Sequence, residues 1–308
     1  LNNTNSLNNY LIVFNPVANK KRQQIVNTVQ QRLQQNNIQF ELYPTAAELV
    51  INQTYFKQRI SQYSDVIVIG GDGTLNCVIN CLPDNSQIRL GLVPAGTGND
   101  FARMWYGRDR NLNAILDIVT GISTQQISLG ECIFNEANNE NQYQIKRRFH
   151  NVMGTGFDSK LAKDLRHNKG RFPSLSYLMA AVKKVPFYQE KTSSFIIDDE
   201  KQQYENLITA FANGRYFGGG LKVAPKANPL SADLDIVQVA RHPLLTKLKL
   251  IIALCVGRHM SAKQVQYRTI RSTSLIDTVG LDLQADGEYI GQSPCSISVI
   301  ENAVKVKR

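Results

Sequence analysis

The run Val66-Ile67-Val68-Ile69-Gly70-Gly71-Asp72-Gly73-Thr74-Leu75-Asn76 constrains this chain more than any other stretch. Four β-branched residues in succession predict a buried strand. Three glycines in the next four positions let the backbone turn tightly and let a ligand approach the main chain. Thr74 is placed to act as an N-cap, and residues 75–82 predict a short helix stopped by Pro83. A glycine turn between the C-terminal end of a strand and a helix N-terminus is a seat for phosphate, because its amides point outward and the helix dipole favours an anion. Asp72 adds a carboxylate to that seat, which suits a Mg²⁺ ion lying between it and phosphate oxygens. The same residues would also make a plain βα turn with a capping aspartate.

The flanking sequence repeats the theme. Residues 10–14 predict a buried strand broken by Asn15-Pro16, and residues 20–33 an amphipathic helix carrying Ile25, Val29 and Leu33. Residues 38–43 predict a second strand, and Thr45-Ala46-Ala47-Glu48 has the form of a capping box opening the next helix. Residues 88–93 predict a further strand, closed by Pro94-Ala95-Gly96-Thr97-Gly98-Asn99-Asp100-Phe101. Strands alternating with helices imply a parallel, doubly wound α/β sheet, in which ligands sit beyond the strands' C-terminal ends. Three polar turns fall there: Asn15-Pro16, residues 70–76 and residues 96–100. A Gly-x-x-x-x-Gly-Lys-Ser/Thr loop is absent, and Gly96-Thr97-Gly98 and Gly154-Thr155-Gly156 lack the third small residue of a dinucleotide fingerprint.

The pattern changes near residue 127. Strands dominate from there: 126–129, 132–134, 148–153, 194–197, 207–212, 234–239 and 296–300, with 135–142 as a polar hairpin tip. At 308 residues, two domains are the better expectation, residues 1–130 and 131–298, with 299–308 returning to the first. Two helical stretches interrupt the strands. One, residues 159–188, carries Lys160, Lys163, Arg166, Lys169, Arg171, Lys183 and Lys184 among Leu175, Tyr177, Leu178, Met179 and Phe187; the other is 244–259. Net charge is +10, and the first 130 residues hold 10 lysines and arginines against 8 acids, so most of the excess lies in the second part. A basic face beside apolar residues suits an anionic lipid surface, and equally suits a solvated helix over a core. No apolar run approaches the ~20 residues of a membrane span, and no signal-peptide pattern opens the chain. Five cysteines without zinc spacing fit a reduced cytoplasmic compartment. Nothing in the pattern signals nucleic-acid binding.

A second chemical constellation is Asp286-Gly287-Glu288, flanked by alternating apolar residues that predict a β-hairpin with this turn at its tip. One carboxylate of such a pair takes the proton of an attacking hydroxyl and the other orients it or helps hold a metal. Phosphoryl transfer needs positioning, charge neutralisation and such a base.

The glycine loop resembles the nucleotide loop shared by diacylglycerol kinases, sphingosine kinases, NAD kinases and 6-phosphofructokinases. The ordered series from Asn15-Pro16 through residues 70–76, Val93 to Ala102, Gly154-Thr155-Gly156-Phe157-Asp158 and residues 213–220 to Asp286-Gly287-Glu288 resembles more specifically the bacterial diacylglycerol kinase family, over nearly the whole chain. The resemblance implies an N-terminal nucleotide domain, a β-rich C-terminal domain and an active site in the cleft between them. It implies ATP held by Asn15, Gly70, Gly71, Asp72, Gly73, Thr74, Leu75, Asn76 and Gly96, with Thr45 and Thr97 as further contacts. Asp72 and Asp100 would join a Mg²⁺ and phosphate network, and Asp286 and Glu288 would be the catalytic pair, with Asp286 as the base that activates the lipid hydroxyl. A second metal would fall to Asn228, Ser231 and Asp233. It also implies a membrane lipid substrate and peripheral contact with an anionic membrane, and leaves a homodimer open.

The chain departs from that family at two positions. Ser128 stands before Leu129-Gly130, and Ser231 stands in the metal loop, where relatives carry aspartate; either Asp233 or Asp235 substitutes, or the second metal site is lost. The expected activity is ATP- and Mg²⁺-dependent phosphorylation of a membrane lipid hydroxyl, diacylglycerol to phosphatidic acid. The alternatives are a catalytically weak nucleotide- or lipid-binding regulator, prompted by the two serines, a kinase of another lipid alcohol such as phosphatidylglycerol or a sphingoid base, and a kinase of a soluble acceptor such as NAD.

Overall fold

A computed structural model describes residues 9–16, 20–107, 111–137, 142–165, 174–276 and 280–308. The chain forms two compact units, Leu1–Ile127 with Asn302–Arg308, and Ser128–Glu301.

The first unit alternates strand and helix: β1 (Asn9–Phe14), α1 (Lys20–Gln35), β2 (Gln39–Pro44), α2 (Leu49–Arg59), β3 (Asp65–Gly70), α3 (Asp72–Cys81), β4 (Arg89–Pro94), α4 (Asp100–Tyr106) and α5 (Leu112–Thr120). The strands are parallel in the order β4-β3-β1-β2, and Lys305 and Val306 add a parallel edge beside Arg89 and Leu90 of β4. Leu11, Ile12, Val13 and Val66 to Ile69 have no exposed surface, as strands covered on both faces require. Chain direction across the sheet reverses between β1 and β3. That reversal is where a doubly wound sheet opens its ligand crevice.

Two local expectations fail. Helix α3 begins at Asp72, with Gly71 as its N-cap, so Thr74 lies inside the first turn instead of capping it. The capping box does not form at α2 either: Glu48 makes no side-chain cap, and Asn52 replaces it, its Oδ1 accepting Ala46 N–H at 2.9 Å and its Nδ2 donating to the Ala46 and Glu48 carbonyls at 3.0 Å.

The second unit is a β-rich sandwich: β5 (Thr124–Ala137, entering from the first unit), β6 (Gln142–Phe149), β7 (Val152–Gly156), α6 (Phe157–Leu165), α7 (Ser174–Lys184), β8 (Lys191–Ile197), β9 (Glu200–Ala212), β10 (Leu234–Ala240), α8 (Leu244–Cys255), β11 (Val265–Ile270), β12 (Ser272–Leu275), β13 (Asp282–Ala285), β14 (Glu288–Gln292) and β15 (Cys295–Lys307, leaving towards the first unit). The order β14-β13-β7-β9-β8-β12-β15 runs antiparallel between neighbours, and β10 joins β9 to β11. A buried cluster including Phe149, Met153, Phe195, Phe211, Leu234 and Leu283 forms its core. The α/β unit and the β-rich unit have the architecture expected from the sequence. The stretch read as one basic helix is α6, α7 and a 3₁₀ turn at Val185–Phe187. Arg166, Lys169, Arg171, the side chains of Leu175 and Tyr177, and hairpin-tip residues 138–141 lie outside the described residues. No helix among the described residues is long and apolar enough to cross a membrane.

Candidate active site

In the first unit, three turns gather at the C-terminal ends of β1, β3 and β4. Arg22 ties two of them, donating to the Asn15 carbonyl at 3.2 Å and the Ala95 carbonyl at 3.5 Å. Gly71 and Gly96 meet backbone to backbone: a methyl on Gly96 would overlap the Gly71 Cα. That close approach is why these positions exclude a side chain. Asn99 adopts a left-handed conformation and clamps Gly96, accepting its N–H at 3.0 Å and donating to its carbonyl at 2.7 Å.

Asp72 joins the two loops. Its carboxylate accepts the backbone N–H groups of Asp100 at 2.9 Å and Phe101 at 3.0 Å, and so caps α4 across 28 residues of sequence. Gly73 and Thr97 are exposed; Asn15, Gly70, Gly71 and Gly96 line the same strand ends, Thr45 follows β2 with its N–H on the Phe14 carbonyl at 2.9 Å, and Asn76 lies inside α3. Thr74, Leu75 and Asp100 are buried, and the Thr74 and Leu75 N–H groups already donate to the Gly71 carbonyl at 3.1 Å.

In the second unit, Asp286 and Gly287 form the two-residue tip of the β13–β14 hairpin, with φ of 49° and 86°. Two positive φ values in succession are the signature of a type I′ turn, which aspartate and glycine accept. The Asp286 carboxylate is fully buried. It accepts N–H groups from His150 at 3.0 Å, Asn151 at 2.9 Å and Val152 at 3.0 Å, and lies 2.7 Å from His150 Nδ1. Its own N–H donates to the Val152 carbonyl at 2.9 Å. Glu288, two residues on, is exposed.

The sequence did not reveal what holds this turn. Gln284 Oε1 accepts Gly287 N–H at 2.9 Å, while its Nε2 donates to Asp158 Oδ2 at 3.0 Å. Burial pushes the Asp158 carboxyl up to about 6, against hydrogen bonds from Gln284 and Ser159 that pull it down. Asp158 stands on the wall of a cavity of about 150 Å³ lined almost wholly by apolar side chains, among them Phe157, Leu161, Val185, Leu207, Ile251 and Leu254.

Asn228, Ser231 and Asp233 come together beside Asp235 and Lys226, but the donor set does not fit a resident cation. The Ser231 hydroxyl donates to the Asn228 carbonyl at 2.8 Å and lies 3.4 Å from the Asp233 carbonyl, so a proton bridges the oxygens a cation would take. The Asp233 carboxylate faces Arg271 at 3.6 Å. Burial raises the Asp235 carboxyl above the ordinary range, against the neighbouring Tyr267 hydroxyl and Lys226, which lower it. Among the described residues no group of three or more histidines, cysteines or acids gathers around a common point. Ser128 acts through its backbone, its N–H on the Pro229 carbonyl at 2.6 Å and its carbonyl accepting Asn213 Nδ2 at 3.0 Å.

An α/β unit with a glycine loop at its switch point, followed by a β-sandwich, is the architecture of the diacylglycerol kinase and NAD kinase fold. Residues 9–132 match the diacylglycerol kinase catalytic domain, and residues 151–308 match the YegS C-terminal NAD kinase beta sandwich-like domain. A diacylglycerol kinase of Mycobacterium tuberculosis is 31% identical over 79% of this chain and 76% of its own length. A diacylglycerol kinase of Bacillus subtilis is 23% identical over 92% and 90%. Among solved structures, a diacylglycerol kinase from Bacillus anthracis superposes with a TM-score of 0.75 at 19% identity, over 98% of this chain and 97% of that one. Yeast NADH kinase complexed with NADH superposes with a TM-score of 0.51 at 12% identity, over 98% and 83%. The chain belongs to the diacylglycerol kinase catalytic-domain family, and is a lipid kinase by that membership.

Proposed function

We propose that the protein transfers the γ-phosphoryl group of ATP to the hydroxyl of diacylglycerol, giving phosphatidic acid. The observation that carries the lipid acceptor is the apolar cavity, whose walls suit an acyl chain and offer almost nothing to a soluble, charged acceptor. ATP enters as its magnesium complex, the ion being part of the substrate. The glycine loop and the amides at the start of α3 bind the phosphates, with Asn15, Thr45, Asn76 and Thr97 beside them. Asp72 and Asp100 shape this seat, since the Asp72 carboxylate already holds the start of α4. Asp286 and Glu288 carry the acceptor chemistry. The donors around Asp286 fix the turn, and Glu288, being exposed, can reach the lipid hydroxyl and take its proton as the oxygen attacks phosphorus. No step passes through residues 228–233.

Contact with an anionic bilayer fits the outer faces of two helices. Met179, Val182 and Lys183 form an exposed stripe on α7 that continues to Phe187, which is 85% exposed. Leu245, Lys249, Ile252 and Val256 form another along α8 and its C-cap, and α8 contains no acid. The inner faces of the same helices line the cavity. Apolar side chains flanked by lysines enter a headgroup layer with the charge facing anionic lipid.

The test is transfer of labelled phosphate from Mg·ATP to vesicles of mixed lipids, with products separated by headgroup. Label in phosphatidic acid is expected, and lost with Glu288→Gln. Label in a different lipid would move the acceptor. ATP binding with no labelled lipid would favour a nucleotide-binding regulator.

A further inference from the structure

Gly154, Asp158 and Gln284 form a buried unit that the reaction as described leaves unused. Gln284 pairs with Gly154 across the β13–β7 ladder, and Asp158 follows from the start of α6. A methyl group on Gly154 would overlap Asp158 Oδ2 and crowd Gln284 Nε2. The missing side chain at 154 is therefore what lets carboxylate and amide meet. Ser159 Oγ donates to the Gly154 carbonyl at 2.7 Å, fixing the first turn of α6 against the strand.

The contact has a direction. An ionised carboxylate only accepts, so it draws the NH₂ end of Gln284 towards itself. The amide has two ends, so its carbonyl must then point the other way, where it accepts Gly287 N–H. Gly287 lies between Asp286 and Glu288. An amide turned by half a revolution would bring its NH₂ against the Gly287 N–H, and two donors would face each other in a buried site at a cost. The acceptor oxygen that Asp158 presents thus decides, through one side chain, whether the turn is held.

We propose that Asp158 and Gln284 are positioning residues for phosphoryl transfer, Asp158 orienting the Gln284 amide so that it holds the Asp286-Gly287-Glu288 turn in its working geometry. The assignment rests on the reading of that turn as the acceptor site. Because Asp158 is on the wall of the apolar cavity, the chain that fills the cavity abuts the residue that sets the turn.

The polarity predicts a swap. Asp158→Asn presents a donor to Gln284 and favours the wrong amide orientation. Gln284→Glu keeps the acceptor for Gly287 but sets two carboxylates against each other. The double variant restores one donor and one carboxylate in the reverse order, with Gly287 still served. With Mg·ATP and diacylglycerol vesicles, each single variant is expected to lose tenfold or more in kcat with KM for vesicles within threefold. The double variant is expected to return to within threefold of wild type. Gln284→Glu should also lower the melting temperature in the wild-type background and do so far less in the Asp158→Asn background. Singles with full kcat, or a double variant whose loss equals the product of the single losses, would overturn the proposal. So would a lowering of the melting temperature by Gln284→Glu that is the same in both backgrounds. Wild-type protein that labels no lipid would overturn the functional reading instead, leaving the melting cycle to decide the pairing.

Discussion

Two of the molecule's buried aspartates, Asp65 in the first unit and Asp158 in the second, are treated in opposite ways. Asp65, at the start of β3, has no exposed surface, and burial raises its carboxyl. Arg89 answers with two hydrogen bonds at 2.9 and 2.6 Å, Lys307 Nζ lies at 2.6 Å and Ser64 Oγ at 2.6 Å, and together they hold it below the ordinary range. Lys307 is itself pushed below the usual lysine value, chiefly by burial, and also donates to Tyr10 Oη and the Val119 carbonyl. Asp158 meets only neutral donors from Gln284 and Ser159, and its carboxyl rises to about 6. The first site spends two cations on keeping one carboxylate charged and so locks the C-terminal segment to the sheet. The second leaves a carboxylate uncompensated in an apolar wall, an arrangement that costs stability and calls for a functional return.

Removing one partner from the compensated site should have the largest effect. Lys307→Met is expected to cost about 3–5 kcal/mol, because a buried ion pair is broken on one side only; urea denaturation at pH 7 measures it. The Asp65 contribution has a stated pH window. Its depressed carboxyl stabilises the fold at neutral pH, and that share is lost as pH falls through the acid range below the unfolded value of 3.8.

The uncompensated site should show the opposite sign. The folded state holds the Asp158 proton more tightly than the unfolded chain does, so stability is full near pH 4, declines as pH rises towards 6 and stays reduced above it. In wild type this fall is about 2–3 kcal/mol between pH 4 and pH 8, and Asp158→Asn, which has no proton to lose there, should lack it. Melting curves at the two pH values check this, and a variant whose stability falls with pH as far as that of wild type would remove the contrast.

Smaller effects sharpen it. Gly96→Ala forces the Gly71 and Gly96 backbones apart, at about 1–3 kcal/mol, and should weaken ATP binding measured by calorimetry. Trp105→Phe removes the indole donor at 2.8 Å from the Lys307 carbonyl and should cost about 1 kcal/mol. Asp117→Ala breaks an ion pair with Arg32 that is open to solvent, and should change stability by no more than about 0.5 kcal/mol.

The parts of this molecule that the sequence made legible are the local ones. β3 and its glycines were readable because four β-branched residues and three glycines carry their constraint in order. The hairpin at Asp286-Gly287 was readable because its turn chemistry lies in two adjacent residues. What escaped depends on distant partners. Helix α3 starts three residues before the expected Leu75, because the chain is already helical at Asp72, whose carboxylate finds its donors on α4. Asn52, and not a capping box, holds the loop before α2. Helix α5 did carry a signal, Asn111 as its cap and Ile115, Leu116 and Val119 on one face. Asp158 and Gln284 are 126 residues apart, and no local pattern joins them. The serine at 231 was visible as a departure, but that its proton bridges two carbonyls follows only from the folded loop.

The central claim is the acceptor, since this fold is shared with a kinase of a soluble dinucleotide. The most direct measurement offers both acceptors at once: labelled Mg·ATP with NAD in solution and diacylglycerol in vesicles, products resolved by class. Label confined to phosphatidic acid is the predicted result, with the apolar cavity as its cause. Label in the dinucleotide, with the vesicles left unlabelled, would contradict it.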